Sequence, residues 1–248
     1  MISLCVATYM SQEGPNPTEN VQEPVNQRTE AGFDDKLQLP EGSIAGGGAF
    51  VLAYLFYRQI VTFFMTVSGP MEEGPAAWVV SGWYFFASHG VGLEASGETV
   101  GLSALPVSSL SSSFSFGGWF LQVLILFLPV GLLVGAGYLV ASWTDPDDLT
   151  ELVAASVSVA LPYLVLSLVA AVLMSHSFTD EQMISSVVQS SQPLMEQFDE
   201  APGSLEVGVS LTDAVIYAGI LYPVVFGLVG GALAKTDLLF DEVSDALN

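Results

Sequence analysis

The chain has 248 residues, of which 51% are hydrophobic, and its 26 acidic side chains outnumber its 4 basic ones to give a net charge of −22. Only 12% of the residues are charged, about half the share found in a soluble globular domain. Long uncharged segments must therefore exist, and such segments indicate a membrane protein. The scarcity of Lys and Arg excludes nucleic-acid binding through neutralised phosphates.

The N-terminal 43 residues are predicted to form a disordered acidic tail, because residues 11–43 are rich in Glu, Gln, Asn and Pro. The apolar start MISLCVATYM has no basic region and no small-residue cleavage site, so it does not match a signal peptide. Translation starts at Met1 or at Met10, and a start at Met10 removes Cys5, the only cysteine. We therefore expect no disulfide and no thiolate metal site.

Four runs of 21 to 25 residues contain a single charged residue between them. Each run is long enough for a helix to cross a hydrocarbon core about 30 Å thick. The runs are continuously apolar rather than alternating, which favours helices over a β-barrel. We therefore predict an all-α membrane protein, with a four-helix transmembrane domain at residues 44–235 and an acidic C-terminal tail at 236–248. The predicted spans are residues 44–67, 118–142, 152–174 and 214–234.

Spans two and three are predicted to form a tight hairpin, in which Asp145 suits an N-cap and Pro146 the first helical position. The orientation follows from the basic residues. Arg28, Lys36 and Lys235 lie on the side of the termini, whereas the two long loops on the other side contain no Lys or Arg. Positive residues concentrate in the cytoplasm, so both termini are predicted to be cytoplasmic in a multi-pass protein of the cell membrane.

Both outer loops are predicted to contain short helices. Residues 76–93 are uncharged and carry Trp78, Trp83 and Tyr84 near their start, which favours an interfacial or re-entrant helix. A fifth span is the alternative, and it would place the termini on opposite sides. Residues 180–192 are predicted to form an amphipathic helix that starts with a capping box at Thr179.

Arg58 is the one charged residue inside the spans. Tyr54, Arg58 and Thr62 are spaced one helical turn apart and are predicted to form a polar stripe, with Gln122 as another polar residue at depth. One interpretation is a contact for an anion or substrate within the bundle. The alternative is an arginine that reaches outward to Asp213 or to lipid headgroups.

Proline and glycine mark the later spans. Each carries one proline near its centre, where a kink is predicted: Pro129, Pro162 and Pro223. The three kinks either form a cavity at the midplane or reflect how common proline is in membrane helices. Two G-x-x-x-G pairs predict close helix packing, one at Gly131 and Gly135 and the other at Gly227 and Gly231.

Motifs for catalysis and for metals are missing from the sequence. It has no phosphate-binding glycine loop, no nucleophile elbow and no His/Cys spacing for a metal. The two histidines, His89 and His176, are predicted on the outer side. We therefore expect no enzymatic activity, no catalytic residue, no metal and no cofactor.

Three features of the sequence are shared with a known group of proteins: the excess of acids over bases, the segment GWYFFASH at residues 82–89 and a proline in each later span. The chain resembles the uncharacterised four-span integral membrane proteins of haloarchaea over roughly residues 40–240. The resemblance implies a halophilic archaeal membrane and brings no known activity. Our expectation is a non-catalytic scaffold or a subunit of a membrane complex, in contact with the lipid bilayer and with a membrane-protein partner or a second copy. The alternative is a small transporter or channel that uses Arg58 and the kinked spans.

Overall fold

The computed structural model describes residues 39–68, 74–102, 105, 118–198, 201–238 and 240. These residues are mostly helical and contain four helices that are long and apolar enough to cross a membrane. The predicted architecture of four membrane-spanning helices is confirmed in this respect. The four candidate spans are Leu39–Val67, Ile125–Thr144, Leu149–Leu173 and Leu211–Ala234.

The first two spans are continuous helices. Helix α1, Leu39–Ser68, starts ahead of the predicted span, so residues 39–43 of the predicted tail are helical. The rest of that tail lies outside the described residues. The second span is the 27-residue helix α3, Gly118–Thr144, which runs through Pro129 without a break.

The third span has a two-residue break in its regular hydrogen bonding near its middle, although its backbone there stays in the right-handed helical region. Helix α4, Leu149–Val157, is separated from α5, Ala160–Leu173, by residues 158 and 159. Pro162 has no N–H to bond the carbonyl of Ser158, four residues earlier, and its ring crowds that carbonyl. The break lies where this hydrogen bond is missing.

The fourth span changes its helical form along its length. One α-helical turn, Leu211–Asp213, leads into a π-helix, Ala214–Leu221, which is followed by α8, Tyr222–Ala234. Pro223 lies in the first turn of α8, where a missing N–H is tolerated. A π-helical segment of eight residues is rare, and such segments occur frequently at functional sites.

A small antiparallel sheet lies at one end of the bundle, and we call this end the sheet side. Its strand order is β2-β1-β4-β3. Ser96 and Gly97 join β1 to β2, and both have positive φ, as a tight two-residue hairpin turn requires. The sequence predicts only loops and helices here, and the sheet corrects that prediction. The strands are β1 Leu93–Ala95, β2 Glu98–Val100, β3 His176–Phe178 and β4 Leu205–Val209.

Three short helices accompany the sheet: α2 at Ala77–Ser88, α6 at Glu181–Ser190 and α7 at Gln192–Gln197. Helix α2 occupies only part of the predicted 76–93 segment, and at 12 residues, or about 18 Å, it is too short to cross a membrane. The predicted cap of α6 was wrong. Asp180 rather than Thr179 caps the helix, and its carboxylate accepts a hydrogen bond from the Met183 N–H at 2.8 Å.

The opposite end of the bundle, which we call the terminal side, holds the start of α1 and the hairpin between spans two and three. The predicted cap at Asp145 was wrong, because Asp148 accepts the hydrogen bond from the Glu151 N–H, at 2.7 Å. Asp145 has a positive φ and forms an ion pair with Lys235 at the end of span four. This ion pair connects the hairpin to the end of the last span.

Glycines bring α3, α4 and α8 close together. A Cβ added at Gly137 would overlap the carbonyl of Gly227, and one added at Gly231 would overlap the Ser156 side chain. Predicted Gly227 and Gly231 thus lie in close helix contacts. Gly131 and Gly135 do not, because an added Cβ would meet none of the described atoms within 4 Å. Within this chain Gly137 makes the contact of α3 for which Gly131 and Gly135 were proposed.

Candidate functional site around a buried histidine

Helix α2 is inserted among the ends of the spans on the sheet side. Eight of its twelve residues are buried. The indole Nε1 of Trp83 donates a hydrogen bond to the carbonyl of Met174, directly after α5, at 2.9 Å. At the start of the helix, the Tyr54 hydroxyl donates to the carbonyl of Trp78 at 3.2 Å. These two bonds attach α2 to spans one and three.

His89 follows the last residue of α2 and is completely buried. Its Nδ1 lies 2.8 Å from the carbonyl oxygen of Phe85, and its Nε2 lies 2.8 Å from the hydroxyl of Tyr163. A carbonyl oxygen can only accept, so Nδ1 carries the proton of the neutral ring. Nε2 therefore accepts the hydrogen bond that the Tyr163 hydroxyl donates.

Burial lowers the pKa of His89 to about 4, although the hydrogen bond to the Phe85 carbonyl acts in the opposite direction. The charged imidazolium is costly in surroundings that water does not reach. His89 is therefore uncharged at neutral pH. Both of its ring nitrogens are already engaged, one as a donor and one as an acceptor.

Aromatic rings surround the His89–Tyr163 pair. The ring of Phe85 lies edge-on to Phe50, with centroids 4.9 Å apart, and the ring of Tyr222 lies 5.0 Å from that of His89. Phe50, Phe85 and Tyr163 are all buried. Spans one, three and four thus each contribute an aromatic ring to a site that α2 completes.

The irregular parts of spans three and four adjoin this site. Tyr163 follows Pro162, just beyond the break in span three, and Tyr222 precedes Pro223, where the π-helix changes into α8. Ser167 lies one turn after Tyr163 and is completely buried, and its hydroxyl has no hydrogen-bond partner among the described residues. Two of the predicted kink positions, Pro162 and Pro223, are thus each adjacent in sequence to a tyrosine of this site.

The depth of the site follows from Tyr163. This residue lies ten residues before Leu173 in span three, a distance of about 15 Å at 1.5 Å per residue. The contact between Tyr163 and His89 therefore places the C-terminal end of α2 inside the bundle. After His89 the chain leads back to the sheet. There the backbone N–H of Ser210 donates a hydrogen bond to the Gly92 carbonyl at 3.0 Å.

Two members of the predicted polar stripe on α1, Arg58 and Thr62, make none of the described contacts with the His89 site, whereas the Tyr54 ring packs on Phe85. Arg58 and Thr62 are half-buried, and a guanidinium N–H of Arg58 donates to the Thr62 hydroxyl. That hydroxyl in turn donates to the Arg58 carbonyl at 2.6 Å. Tyr54 instead bonds the start of α2, and the side chain of Gln122, in α3, lies outside the described residues.

A pocket of about 470 Å³ opens on the sheet side, between the sheet and the ends of spans three and four. Glu94 of β1 and Glu206 of β4 line it, and Val172 and Leu211 form part of its apolar wall. Glu206 is exposed and Glu94 is half-buried. The sheet side therefore presents an acidic surface beside apolar residues.

His89, Tyr163 and Tyr222 were not predicted as site residues, although the sequence placed His89 in the first outer loop. The signals were present: His89 ends an aromatic run in an uncharged segment, and each tyrosine adjoins a predicted kink. They could not be combined, because no sequence spacing connects residue 89 with residues 163 and 222. Only the insertion of α2 brings the three rings together.

Comparisons with known proteins add a family and no activity. No curated protein and no solved structure matches the chain. A match to the family of unknown function DUF7978 covers residues 22–237, which include all four spans, α2 and the sheet. The chain therefore belongs to the DUF7978 family.

Proposed function

We propose that the protein is a non-catalytic scaffold or subunit of a membrane complex in a halophilic archaeon. The observation that carries this proposal is the insertion of α2, which fills the sheet-side half of the bundle with buried aromatic side chains. Trp83, Phe85 and Phe86 are all completely buried. A solute that entered from the sheet side would have to displace them, whereas a scaffold needs a solid bundle of this kind.

The sheet above the bundle supports the same proposal. It joins the connection between spans one and two to the connection between spans three and four, because β1 pairs with β4. A layer tied together in this way presents a fixed surface to a partner, and the acidic pocket at Glu94 and Glu206 lies on it. With the termini in the cytoplasm, as Lys235 and the other basic residues favour, this surface faces outward.

The non-catalytic part of the proposal is supported by the state of His89. A general base needs a free nitrogen within reach of a substrate, and both nitrogens of His89 are hydrogen-bonded inside the bundle. The halophilic source is supported by the composition, since 26 acids against 4 bases give a net charge that keeps a protein soluble in concentrated salt.

The test is purification of the full chain in mild detergent at high salt, followed by identification of the proteins that remain bound. We expect a defined set of partners, and we expect Glu206→Lys on the sheet side to reduce their recovery. Asp147→Lys is the matched control, because it reverses an exposed charge on the terminal side. Recovery of a monomer without partners, or equal loss in both variants, would contradict the proposal.

A small transporter or channel is the second candidate, and one observation favours it. Span three lacks regular α-helical hydrogen bonding at residues 158 and 159, and span four is π-helical beside the same buried polar pair; helices with an irregular backbone form the binding sites of many transporters. If the protein is a transporter or channel, we expect solute flux across the membrane of liposomes that contain the purified protein, and a smaller flux for Arg58→Ala. Liposomes that stay tight to ions and small organic solutes would rule it out.

A further inference from the structure

Arg58 has more hydrogen-bond donors than the described residues satisfy. A guanidinium carries five N–H groups, and one of them is directed to the hydroxyl of Thr62. Among the described residues no carboxylate forms an ion pair with Arg58. A charged group with open donors is costly at the depth of a membrane unless an anion or water reaches it.

The packing of α1 against α5 shows how deep Arg58 lies. Gly46 of α1 packs directly on Val159 and Pro162, and the two helices run in the same direction. Leu173, the end of span three, lies about 13 residues beyond that contact, so the corresponding level on α1 is near residue 59. Arg58 thus lies level with the sheet-side end of span three, whereas span one continues for nine further residues to Val67.

Trp78 gives a second and independent measure of the depth. Its carbonyl accepts the hydrogen bond of Tyr54, one turn of α1 before Arg58, and its indole is 41% exposed. Exposed tryptophans concentrate at the boundary between hydrocarbon and headgroups. Both measures therefore place Arg58 in the leaflet on the sheet side, and its guanidinium is directed further toward the headgroups of that leaflet, because Thr62 lies one helical turn closer to them.

The surroundings of Arg58 are those of a lipid contact. Leu55 and Phe63, on neighbouring turns of α1, are 49% and 63% exposed and lie where acyl chains pass. Thr62 holds the arginine in place, since its hydroxyl accepts from the guanidinium and donates to the Arg58 carbonyl. The remaining N–H groups match the oxygens of a phosphate, which a guanidinium binds through two parallel hydrogen bonds.

We propose that Arg58, positioned by Thr62, binds the anionic phosphate of a lipid headgroup in the leaflet on the sheet side. The site does not depend on whether the protein is a scaffold or a transporter, because it requires only Arg58 at the lipid-facing surface. It also accounts for an arginine in a span that pairs with no carboxylate in the part of the chain that the structure describes. The lipid phosphate neutralises the charge of the Arg58 guanidinium within the leaflet.

The test measures which lipids remain bound to the purified full-length protein. The protein is exchanged into detergent with equal amounts of phosphatidylglycerol and an uncharged galactosyl diacylglycerol of the same acyl chains, and the retained lipids are quantified by mass spectrometry. We expect an enrichment of phosphatidylglycerol of about tenfold, which corresponds to about 1.4 kcal/mol. We expect no enrichment in Arg58→Gln and a partial one in Arg58→Lys.

Gln59→Leu is the matched control, because it changes the exposed neighbour of Arg58 and should keep the enrichment. If Arg58→Gln does not fold, the retention of phosphatidylglycerol by the wild-type protein is measured instead, with and without excess inorganic phosphate. Retention that inorganic phosphate does not displace supports a lipid site. Equal retention of both lipids by the wild-type protein, or displacement by inorganic phosphate, would overturn the proposal.

Discussion

The hydroxyl of Tyr163 donates a hydrogen bond to Nε2 of His89 at 2.8 Å, inside a bundle of apolar helices. This bond joins a residue in the middle of span three to the end of a short helix that does not cross the membrane. It also fits one tautomer of the neutral imidazole, because the other nitrogen donates to the Phe85 carbonyl. The position of α2 in the bundle depends on this pair.

Removing the Tyr163 hydroxyl should destabilise the protein. In Tyr163→Phe the Nε2 atom of His89 is left buried without a donor, and we expect a loss of about 1 to 3 kcal/mol in the free energy of unfolding. Tyr222→Phe is the control, since the Tyr222 ring contacts His89 but its hydroxyl makes none of the described hydrogen bonds. Thermal unfolding in detergent at high salt would measure both, and equal losses would show that the His89 bond is not the cause.

His89 should make stability depend on pH. Its pKa is lowered from 6.5 to about 4 in the folded protein, so between these values the unfolded chain binds a proton that the folded chain does not. The stability that comes from neutral His89 is complete above pH 6.5 and is lost as the pH falls to 4. The loss is on the order of 3 kcal/mol.

Acidic side chains also titrate in this range. The quantity to measure is therefore the difference in unfolding free energy between the wild-type protein and His89→Gln. Glutamine stays uncharged and keeps a polar group near the Tyr163 hydroxyl. We expect the difference in unfolding free energy to change between pH 6.5 and 4 and to be constant above pH 7. Parallel pH curves for the two proteins would show that His89 is not buried and neutral.

Two glycine substitutions in α3 should differ in their effect on the free energy of unfolding. Gly137→Ala forces a methyl group against the Gly227 carbonyl of α8, and we expect a loss of about 1 to 3 kcal/mol. In Gly135→Ala, half a turn away, the added methyl group meets none of the described atoms within 4 Å, and the substitution should be neutral or slightly stabilising, since alanine favours a helix. Thermal unfolding of the two variants gives the comparison, and a larger loss at Gly135 would locate a contact with a second molecule there.

The orientation can be tested with single cysteines in a chain in which Cys5 is replaced by serine. We expect Ser96→Cys, in the exposed β1–β2 turn, to react with a membrane-impermeant thiol reagent from outside the cell. Asp147→Cys, exposed in the hairpin on the terminal side, should react only after the cells are opened. Labelling of position 96 from the cytoplasmic side alone would reverse the proposed topology.

The four spans could be predicted because each is a local property of the sequence, a run of more than 20 residues with almost no charge. The sheet could not be predicted, since β1 is three residues long and pairs with β4, whose residues are more than 100 positions away. Its pairing depends on where the spans place the loops. The position of α2 was equally hidden, because an uncharged segment with tryptophans fits a helix on the membrane as well as one inside the bundle.

The arginine and the glycines show the same limit. The sequence identifies Arg58 as the charged residue of the spans, but its depth depends on the offset between α1 and α5, which Gly46 and Val159 set. The G-x-x-x-G spacing identified Gly131 and Gly135, whereas the face of α3 that packs on α8 carries Gly137. Spacing shows which residues share a face, and only the packed helices show which face is covered.

The pairing of β1 with β4 sets the order in which this protein can be completed during synthesis. When residues 93–100 have been synthesised, β1 has only β2 as a neighbour, because β4 is not yet translated. At about 5 to 20 residues per second, the strand waits on the order of 10 seconds for its second neighbour. The hydrogen-bond acceptor of Trp83, Met174, also arrives late. The first loop to leave the ribosome is therefore among the last parts of the protein to become fixed, and a chain truncated before residue 205 leaves one edge of β1 open.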